Sequence, residues 1–557
     1  MTRLRLVLVL FLFGAGFVGA EENRPNLLLI LADDLGYSDL GCYGGEIETP
    51  YLDALAAGGL RMTQLYNTAR CCSTRASLLT GLYPHQAGVG AMTADNGLPG
   101  YRGFLTERCV SMASLLAEAG YRTYLSGKWH LRGKGNPECI PTNHGFDRFY
   151  GHFRAYASFW RQDLYGHLPA GEETNRNDDK FYATDAITDQ GLRFLEEARE
   201  EEAPWFLYLA YNAPHFPLHA PKELIDKYVQ RYEQGWDAVR EERYARMVEI
   251  GILRDHEVLS PRGHVTKVPE RNRDSPWYDE TIPKWETLPE ARRKDLARRM
   301  ATYAAMVEIV DRNIGRVVAD LENHGELENT LLVFLSDNGA CAEWDPIGFD
   351  NNPYPKNLLY EGNDLAKIGQ PGTFHSYGTG WANACNTPFR LYKHYNHEGG
   401  ISSPAILLWP DGIEGNGRID RSPAHVVDLT ATFLELARAT YPESRGGSTI
   451  IPLQGESLLP VFRGGEMPKR ALFFEHEGNR AVRVGRWKLV WTNYAKQWEL
   501  YDIEQDRSEM NDLAPERPGM VKEMALLWEN WAEESFVEKQ KVPQPAKGMP
   551  KIYYLEE

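Results

Sequence analysis

Two adjacent thiols open the stretch Cys71-Cys72-Ser73-Thr74-Arg75-Ala76-Ser77-Leu78-Leu79-Thr80-Gly81. A thiol is a nucleophile once deprotonated. Arg75 stands one helical turn from Cys71, so both side chains can address one ligand. The apolar turn closed by glycine is the pattern of a short helix. A helix beginning at Cys71 presents unpaired backbone N–H groups and the positive end of its dipole, which favours an anion. For a lone cysteine the ordinary outcome is a buried thiol beside a surface arginine, and for an adjacent pair a structural or redox couple.

Other chemistry-bearing residues stand at the ends of apolar runs. Asn26-Leu27-Leu28-Leu29-Ile30-Leu31-Ala32 runs into Asp33-Asp34, and Leu331-Leu332-Val333-Phe334-Leu335-Ser336 into Asp337-Asn338. Adjacent carboxylates repel unless a cation lies between them. Carboxylate and amide oxygens from Asp33, Asp34, Asp337 and Asn338 make a hard site that selects calcium or magnesium over zinc. A strand over 121–125 leads to Ser126-Gly127-Lys128-Trp129-His130, where Lys128 and His130 share a side if the chain is extended. A strand over 205–210 leads to Asn212-Ala213-Pro214-His215, and Lys393 precedes Glu398-Gly399-Gly400 and a strand over 404–409. Taken singly, each of these lysines and histidines reads as solvated or structural.

Taken together, the strings are identified as those of the type I sulfatases. The cysteine stretch resembles that family's signature C-x-[PAS]-x-R-x-x-x-L-T-G, and Gly-Lys-Trp-His, Ala-Pro-His-x-Pro and Lys-x4-Glu-Gly-Gly follow in the family's order. The likeness is closest to bacterial arylsulfatases. It implies that Cys71 is oxidised to formylglycine by a maturation enzyme and that the aldehyde hydrate is the nucleophile. It also implies Arg75 as its electrostatic partner, and Lys128 and Lys393 as sulfate ligands. His215 would be the acid for the leaving alcohol, and His130 the base that releases sulfate. Asp33, Asp34, Asp337, Asn338 and residue 71 would hold one calcium ion. The substrate would be an aryl or carbohydrate sulfate ester. Two rivals are a phosphonate or phosphate ester hydrolase on the same scaffold, and a catalytically silent glycan-binding protein with an unmodified Cys71.

The elements that must position these residues follow from the patterning. Continuous apolar strands are those of a sheet buried on both faces, and ligands of open α/β sheets bind beyond the strands' carboxyl ends. The expected fold is α/β: a large mixed, mostly parallel sheet flanked by helices, alkaline-phosphatase-like by resemblance. Helices are expected over 50–56, with Thr49 as N-cap, and over 112–119, 181–200, 297–324 and 423–438. A proline-punctuated helical excursion spans 221–296. After residue 440 the texture changes to short alternating strands near 472–474, 481–484, 488–491 and 499–502, then a helix over 521–536. The expected division is a signal peptide at 1–20, a catalytic domain at 24–440 and a C-terminal antiparallel α+β domain at 441–557.

Arg3, Arg5, a short apolar run and Gly19-Ala20 before Glu21-Glu22 carry the signal-peptide reading, so the protein is expected to be exported, periplasmic or secreted, without stable membrane insertion. The net charge of −17 argues against nucleic acid and, more weakly, against dense polyanions. Seven cysteines in 557 residues do not form a disulfide scaffold, and the odd number leaves at least one unpaired.

Overall fold

A computed structural model describes residues 24–170, 180–263, 282–343, 347–350, 358–493 and 496–538. The signal-peptide segment and parts of the loops at 155–177 and 259–285, expected to set specificity, lie outside them.

The centre is one ten-stranded sheet. Its strands are β1 (Asn26–Ala32), β2 (Leu60–Tyr66), β3 (Arg122–Lys128), β4 (Arg148–His152), β5 (Gly166–Leu168), β6 (Trp205–Ala210), β7 (Thr330–Ser336), β8 (Ser402–Leu408), β9 (Arg418–Asp420) and β10 (Ala424–His425). Their order is β10-β2-β8-β7-β1-β6-β3-β4-β5, with β9 also on β2. Strand β1 pairs in parallel with β6 and β7, β3 with β6 and β4, and β2 with β9 and β10. Only β8, against β2 and β7, and β5, against β4, run the other way. This is the mixed, mostly parallel sheet expected.

That topology gathers the site on one edge. The carboxyl ends of β1, β3, β6 and β7 release Asp33, Lys128, Asn212 and Asp337 there, and β2 leads to Cys71. Because β8 is antiparallel, its amino end lies at the same edge, and Lys393 arrives just before it. Strand β3 runs three residues further than its apolar pattern, to Lys128, because Gly127 has no Cβ: one built there would stand 2.0 Å from the Ala210 carbonyl oxygen, and φ is +124°.

Helices cover both faces. Ala183–Glu200, Lys222–Tyr232, Gly235–Glu249 and Glu290–Asn323 lie over a core that includes Leu28, Ile30, Leu207 and Phe334; Cys71–Thr80, Met112–Glu118 and Val426–Ala437 cover Leu27, Leu29, Leu31 and Val333. Burying each such leucine contributes roughly 1.5–3 kcal/mol. Helix Glu290–Asn323 starts a turn or more before the apolar stripe. Its first turns are charged helix formers held by Lys294–Glu290 (2.6 Å) and Arg299–Asp295 (3.0 Å) pairs. Thr49 occupies the N-cap position of Pro50–Gly58, but its hydroxyl donates to Asp53 and accepts from Gly41 N–H instead of capping.

A second sheet is antiparallel, β13 (Ala471–His476), β14 (Asn479–Val484), β15 (Trp487–Trp491) and β16 (Trp498–Asp502), after a small ribbon of β11 (Ser444–Arg445) and β12 (Ser448–Thr449). Helix Pro518–Glu534 packs on it through Trp528 and Trp531, the latter stacked on Phe473 at 5.1 Å. Ile450, Leu458, Val461 and Phe462 pack into the core of the large sheet, so its cover continues past residue 440. Buried ions join the two parts: Lys488 and Arg507 bond Glu398 at 2.9 and 3.1 Å.

Helix Val426–Ala437 starts two residues after Ala424 because His425 caps it: the ring Nδ1 accepts from Val427 N–H at 3.3 Å. Burial, with repulsion from Arg470, pushes His425 down from the usual 6.5 to about 3. The folded-state value is depressed, so as pH falls through 6.5 the unfolded chain gains a proton that the folded chain refuses, and stability is lost down to about pH 3. His425→Asn keeps a capping acceptor and removes this titration. In urea unfolding at pH 7 and pH 4, the variant should lose about 3 kcal/mol less than the parent over that interval. Parallel losses would show that the ring does not titrate this way.

Candidate active site

Cys71 is the first residue of helix Cys71–Thr80, follows Arg70 at the N-cap, and is 1% exposed. Gly81 closes the helix in the left-handed region, its N–H bonded to the Ser77 carbonyl, as expected of a C-terminal glycine. The Cys71 sulfur lies 3.4 Å from His130 Nδ1. Cys72, Lys128, His130 and Lys393 together pull Cys71 well below the usual thiol range, so position 71 favours negative charge. The Cys72 thiol donates to the Ala91 carbonyl at 3.3 Å, and its contact with Cys71, together with burial, pushes it up. None of the seven cysteines is disulfide-bonded.

Three cations and two histidines arrive from four elements. Arg75 Nη2 lies 3.0 Å from Asp337 Oδ2 and 3.6 Å from Asp33 Oδ2, and its Nη1 donates to the Lys128 carbonyl at 2.9 Å. Lys128 Nζ donates to Asp33 Oδ2 at 2.5 Å. Lys393 Nζ donates to both Asp34 oxygens, at 2.8 and 3.1 Å. His215 Nε2 lies 3.4 Å from Asp34 Oδ2, with Nδ1 2.5 Å from the Phe216 carbonyl. His130 is not extended as the sequence suggested: φ is +51°, and this turn swings the ring onto Cys71 while Lys128 goes to Asp33. Burial pushes His130 down to about 4 and lowers His215 as well, against the pull of Asp34 and Asp33 on the latter.

The acids converge on the same point. Asp34, at φ +68°, turns its N–H to Asp337 Oδ1 at 3.2 Å, and Asn338 Nδ2 donates to Asp34 Oδ1 at 2.7 Å. A non-glycine residue in that conformation costs about 1–2 kcal/mol, less than the buried leucines of β1 supply. Burial and the nearby Asp33 push Asp337 up, whereas Lys128, His215 and Arg75 overcome burial and hold Asp33 well below the carboxylate range. The Asp33, Cys71 and Asp337 donor atoms lie within 4.8 Å of one another, as do those of Asp33, Asp34 and His215. Asp33 Oδ1 and Asn338 Oδ1 are buried acceptors with no hydrogen-bond partner. Unmatched acceptors in a hard-oxygen set fit a calcium- or magnesium-class ion.

Every residue singled out from the sequence is thus in one buried cluster. Four neighbours were not. Arg70 pairs with Glu343, Glu343 Oε1 lies 4.0 Å from Lys393 Nζ, His394 Nε2 lies 2.5 Å from Glu343, and His152, fully buried at the end of β4, is level with Lys128. Adjacency to Cys71 and Lys393 was the available signal for Arg70 and His394; nothing local marks Glu343 or His152.

An ester that carries negative charge is what this pocket is built to receive. Cations and a helix N-terminus surround the nucleophile position, and two histidines stand ready to move protons. The fold and site therefore define a hydrolase of anionic esters, with an alkaline-phosphatase-like sheet. Comparison with known proteins narrows the class. The Sulfatase family model matches residues 25–439, and a model described as the C-terminal region of N-sulphoglucosamine sulphohydrolase matches 389–533. The chain belongs to the sulfatase family, the enzymes that hydrolyse sulfate esters.

An uncharacterized sulfatase from Schizosaccharomyces pombe is 34% identical over 91% of this chain and 93% of its own. An arylsulfatase from Klebsiella aerogenes is 34% identical over 81% of this chain and 95% of its own. The crystal structure of Ps i-CgsB in complex with k-i-k-neocarrahexaose superposes with a TM-score of 0.64 at 25% identity, covering 93% of this chain and 94% of that one. Among the described residues, no helix is long and apolar enough to cross a membrane.

Proposed function

We propose that this sulfatase cleaves aryl or carbohydrate sulfate esters through a formylglycine made from Cys71. One calcium ion would be held by Asp33, Asp34, Asp337, Asn338 and residue 71. The observation that carries the reading is the convergence of the two lysines and Arg75 on the acids beside residue 71, where two buried oxygens lack partners. A metal-dependent site for a phosphate ester would share some of these features. The family membership favours sulfate, as does the lack, among the described residues, of a multi-histidine set around the acids. The carbohydrate side is supported by the neocarrahexaose bound to Ps i-CgsB. By its N-terminal sequence the enzyme is exported, to the periplasm or beyond, and it requires a maturation enzyme.

A sulfate ester repels nucleophiles, so catalysis begins with charge neutralisation. Lys128 and Lys393 take the sulfate oxygens as point charges, exchanging their carboxylate partners for the substrate. A cation held there would neutralise charge on sulfate and make a hydroxyl at residue 71 more acidic. Arg75 holds that hydroxyl's neighbourhood positive through its place between Asp33, Asp337 and the start of the helix. The hydrate at residue 71 offers one hydroxyl to attack sulfur. His215, 3.4 Å from Asp34, protonates the departing alcohol oxygen. His130, beside residue 71, takes the proton of the second hydroxyl, so that sulfate leaves and the aldehyde returns.

The two histidines are separable by leaving group. An activated phenol needs little protonation to leave; a sugar alcohol needs much. His215→Ala should therefore slow unactivated esters by on the order of 10²–10⁴-fold and activated aryl esters far less. His130→Ala should slow both in steady state and leave a burst of phenol in stopped flow. The reverse pattern would exchange the roles. Aryl phosphonates turned over faster than matched aryl sulfates would overturn the sulfatase assignment of this site.

A further inference from the structure

A second cluster of metal-type side chains lies at the joint between the two sheets. It consists of His394, from the loop that carries Lys393, and His476 and Glu477, from the first hairpin of the C-terminal sheet. Their donor atoms lie within 4.8 Å of one another. His394 Nδ1 is 2.9 Å from Glu477 Oε2, His476 Nε2 is 3.6 Å from Glu477 Oε1, and the two rings are tilted by 33° with centroids 5.8 Å apart. We propose that His394, His476 and Glu477 bind a zinc-class divalent ion that clamps the C-terminal hairpin to the catalytic loop.

Three independent observations carry this. First, His476 is fully buried, and neither of its ring nitrogens has a hydrogen-bond partner. A buried imidazole without partners is costly, and a metal ion on one nitrogen removes that cost. Second, His394 is held as a metal-ligating histidine usually is, with the nitrogen remote from the ion on a carboxylate. Its Nε2 lies 2.5 Å from Glu343 Oε1 while Nδ1 faces Glu477. Third, Glu477 sits at φ +51° beside Gly478 at +84°, the two-residue turn joining β13 to β14. Such turns take asparagine, aspartate or glycine most readily. A glutamate held there puts its carboxylate in the cluster at a conformational cost, which is typical of a functional position.

The nearby charges have to be counted as well. Arg70 Nη1 is 2.5 Å from His394 Nε2 and 3.2 Å from Nδ1, and Arg70 pairs with Glu343. Lys393, 4.0 Å from Glu343, is already bonded to Asp34. With both rings neutral, Glu343 and Glu477 outnumber Arg70, and the cluster is one positive charge short. A proton on His394 would balance the charge but leave His476 unpartnered; a divalent cation covers the deficit, with one positive charge to spare, and also gives His476 a partner. Two imidazoles and one carboxylate favour zinc over calcium, the inverse of the oxygen site around Asp33. The side chains of His394 and Glu477 are 11% and 8% exposed, so the ion has an entry from solvent. The hairpin is already seated to receive it, with Asn479 Nδ2 on the His394 carbonyl at 2.9 Å and Asn396 Nδ2 on the Asn479 carbonyl at 2.8 Å.

The test uses the full mature chain, stripped with a chelator, resupplied with excess calcium and titrated with Co²⁺ and Zn²⁺. The expected result is one Zn²⁺ per chain in addition to calcium, and visible Co²⁺ absorption that Zn²⁺ displaces. His476→Ala should weaken Zn²⁺ binding by on the order of 100-fold or more. Glu477→Gln, nearly isosteric, should do the same and decides the matter if the alanine variant does not fold. Asp337→Asn should leave Zn²⁺ binding unchanged. Zn²⁺ that stays bound in both cluster variants, Zn²⁺ lost in Asp337→Asn, or no second metal in the parent would each overturn the proposal.

Discussion

Cys71→Ser should fold like the parent and lose steady-state turnover by on the order of 10⁴-fold or more, the scale seen when a catalytic nucleophile is removed. Serine fits the space of a cysteine that is 1% exposed, so the change tests chemistry and not packing. It supplies one hydroxyl. That hydroxyl can attack sulfur, but no second one remains to expel the sulfate, so at most one equivalent of alcohol should appear before the enzyme stalls. In the parent, peptide mass spectrometry should find an aldehyde at position 71 and an intact thiol at Cys72, whose sulfur points to the Ala91 carbonyl. An unmodified thiol at position 71 in fully active enzyme would end the formylglycine mechanism.

Asp337→Asn should have the second largest effect. Asp337 Oδ2 is 3.0 Å from Arg75, Oδ1 receives the Asp34 N–H, and its donor atoms face Asp33 and Cys71. The amide keeps the shape and removes the charge, so the oxygen set loses an anionic ligand and Arg75 its nearest carboxylate. Activity should fall by on the order of 10²–10³-fold, the scale for losing one preorganised electrostatic contact. Calcium supplies the discriminating readout. An ion bound only by the folded state stabilises the parent by about 2.7 kcal/mol at a hundred times its dissociation constant. That gain should shrink in the variant. Equal protection of both proteins against heat would place the ion elsewhere.

The sequence was legible where one strand carries both the fold signal and the chemistry. The apolar runs ending in Asp33-Asp34 and Asp337-Asn338 named two strands and four oxygen donors at once, because a parallel strand delivers its next residues to the ligand edge. The helix at Cys71 was legible from its own string, a thiol and an arginine followed by an apolar turn closed by glycine. The reversal of β8 was not, since a run buried on both faces looks the same in either direction, and it is this reversal that brings Lys393 to the site. The start of helix Glu290–Asn323 was hidden because charged helix formers have no apolar period. Glu343, His476 and Glu477 were invisible. Each is an ordinary polar residue in a loop or turn, given meaning by partners far away in the chain.

The burial of the Cys71 helix also sets an order of events. All of Cys71–Thr80 is buried, packed against helices Val426–Ala437 and Met112–Glu118 and, at Cys71, the loop at His130. An enzyme that must grip several residues around Cys71 has no purchase on the finished molecule. On the proposed formylglycine mechanism, the oxidation of Cys71 would then belong to the interval between ribosome and native state, while residues 71–81 are still strung out. Strand β8 and the loop with Lys393 emerge last among the parts of the site, so closure waits on more than three hundred further residues of synthesis. A chain that folds before it is modified is locked out for as long as it stays folded. Yield of active enzyme should then depend on how fast the chain folds relative to its maturation, a contest of rates set during biosynthesis.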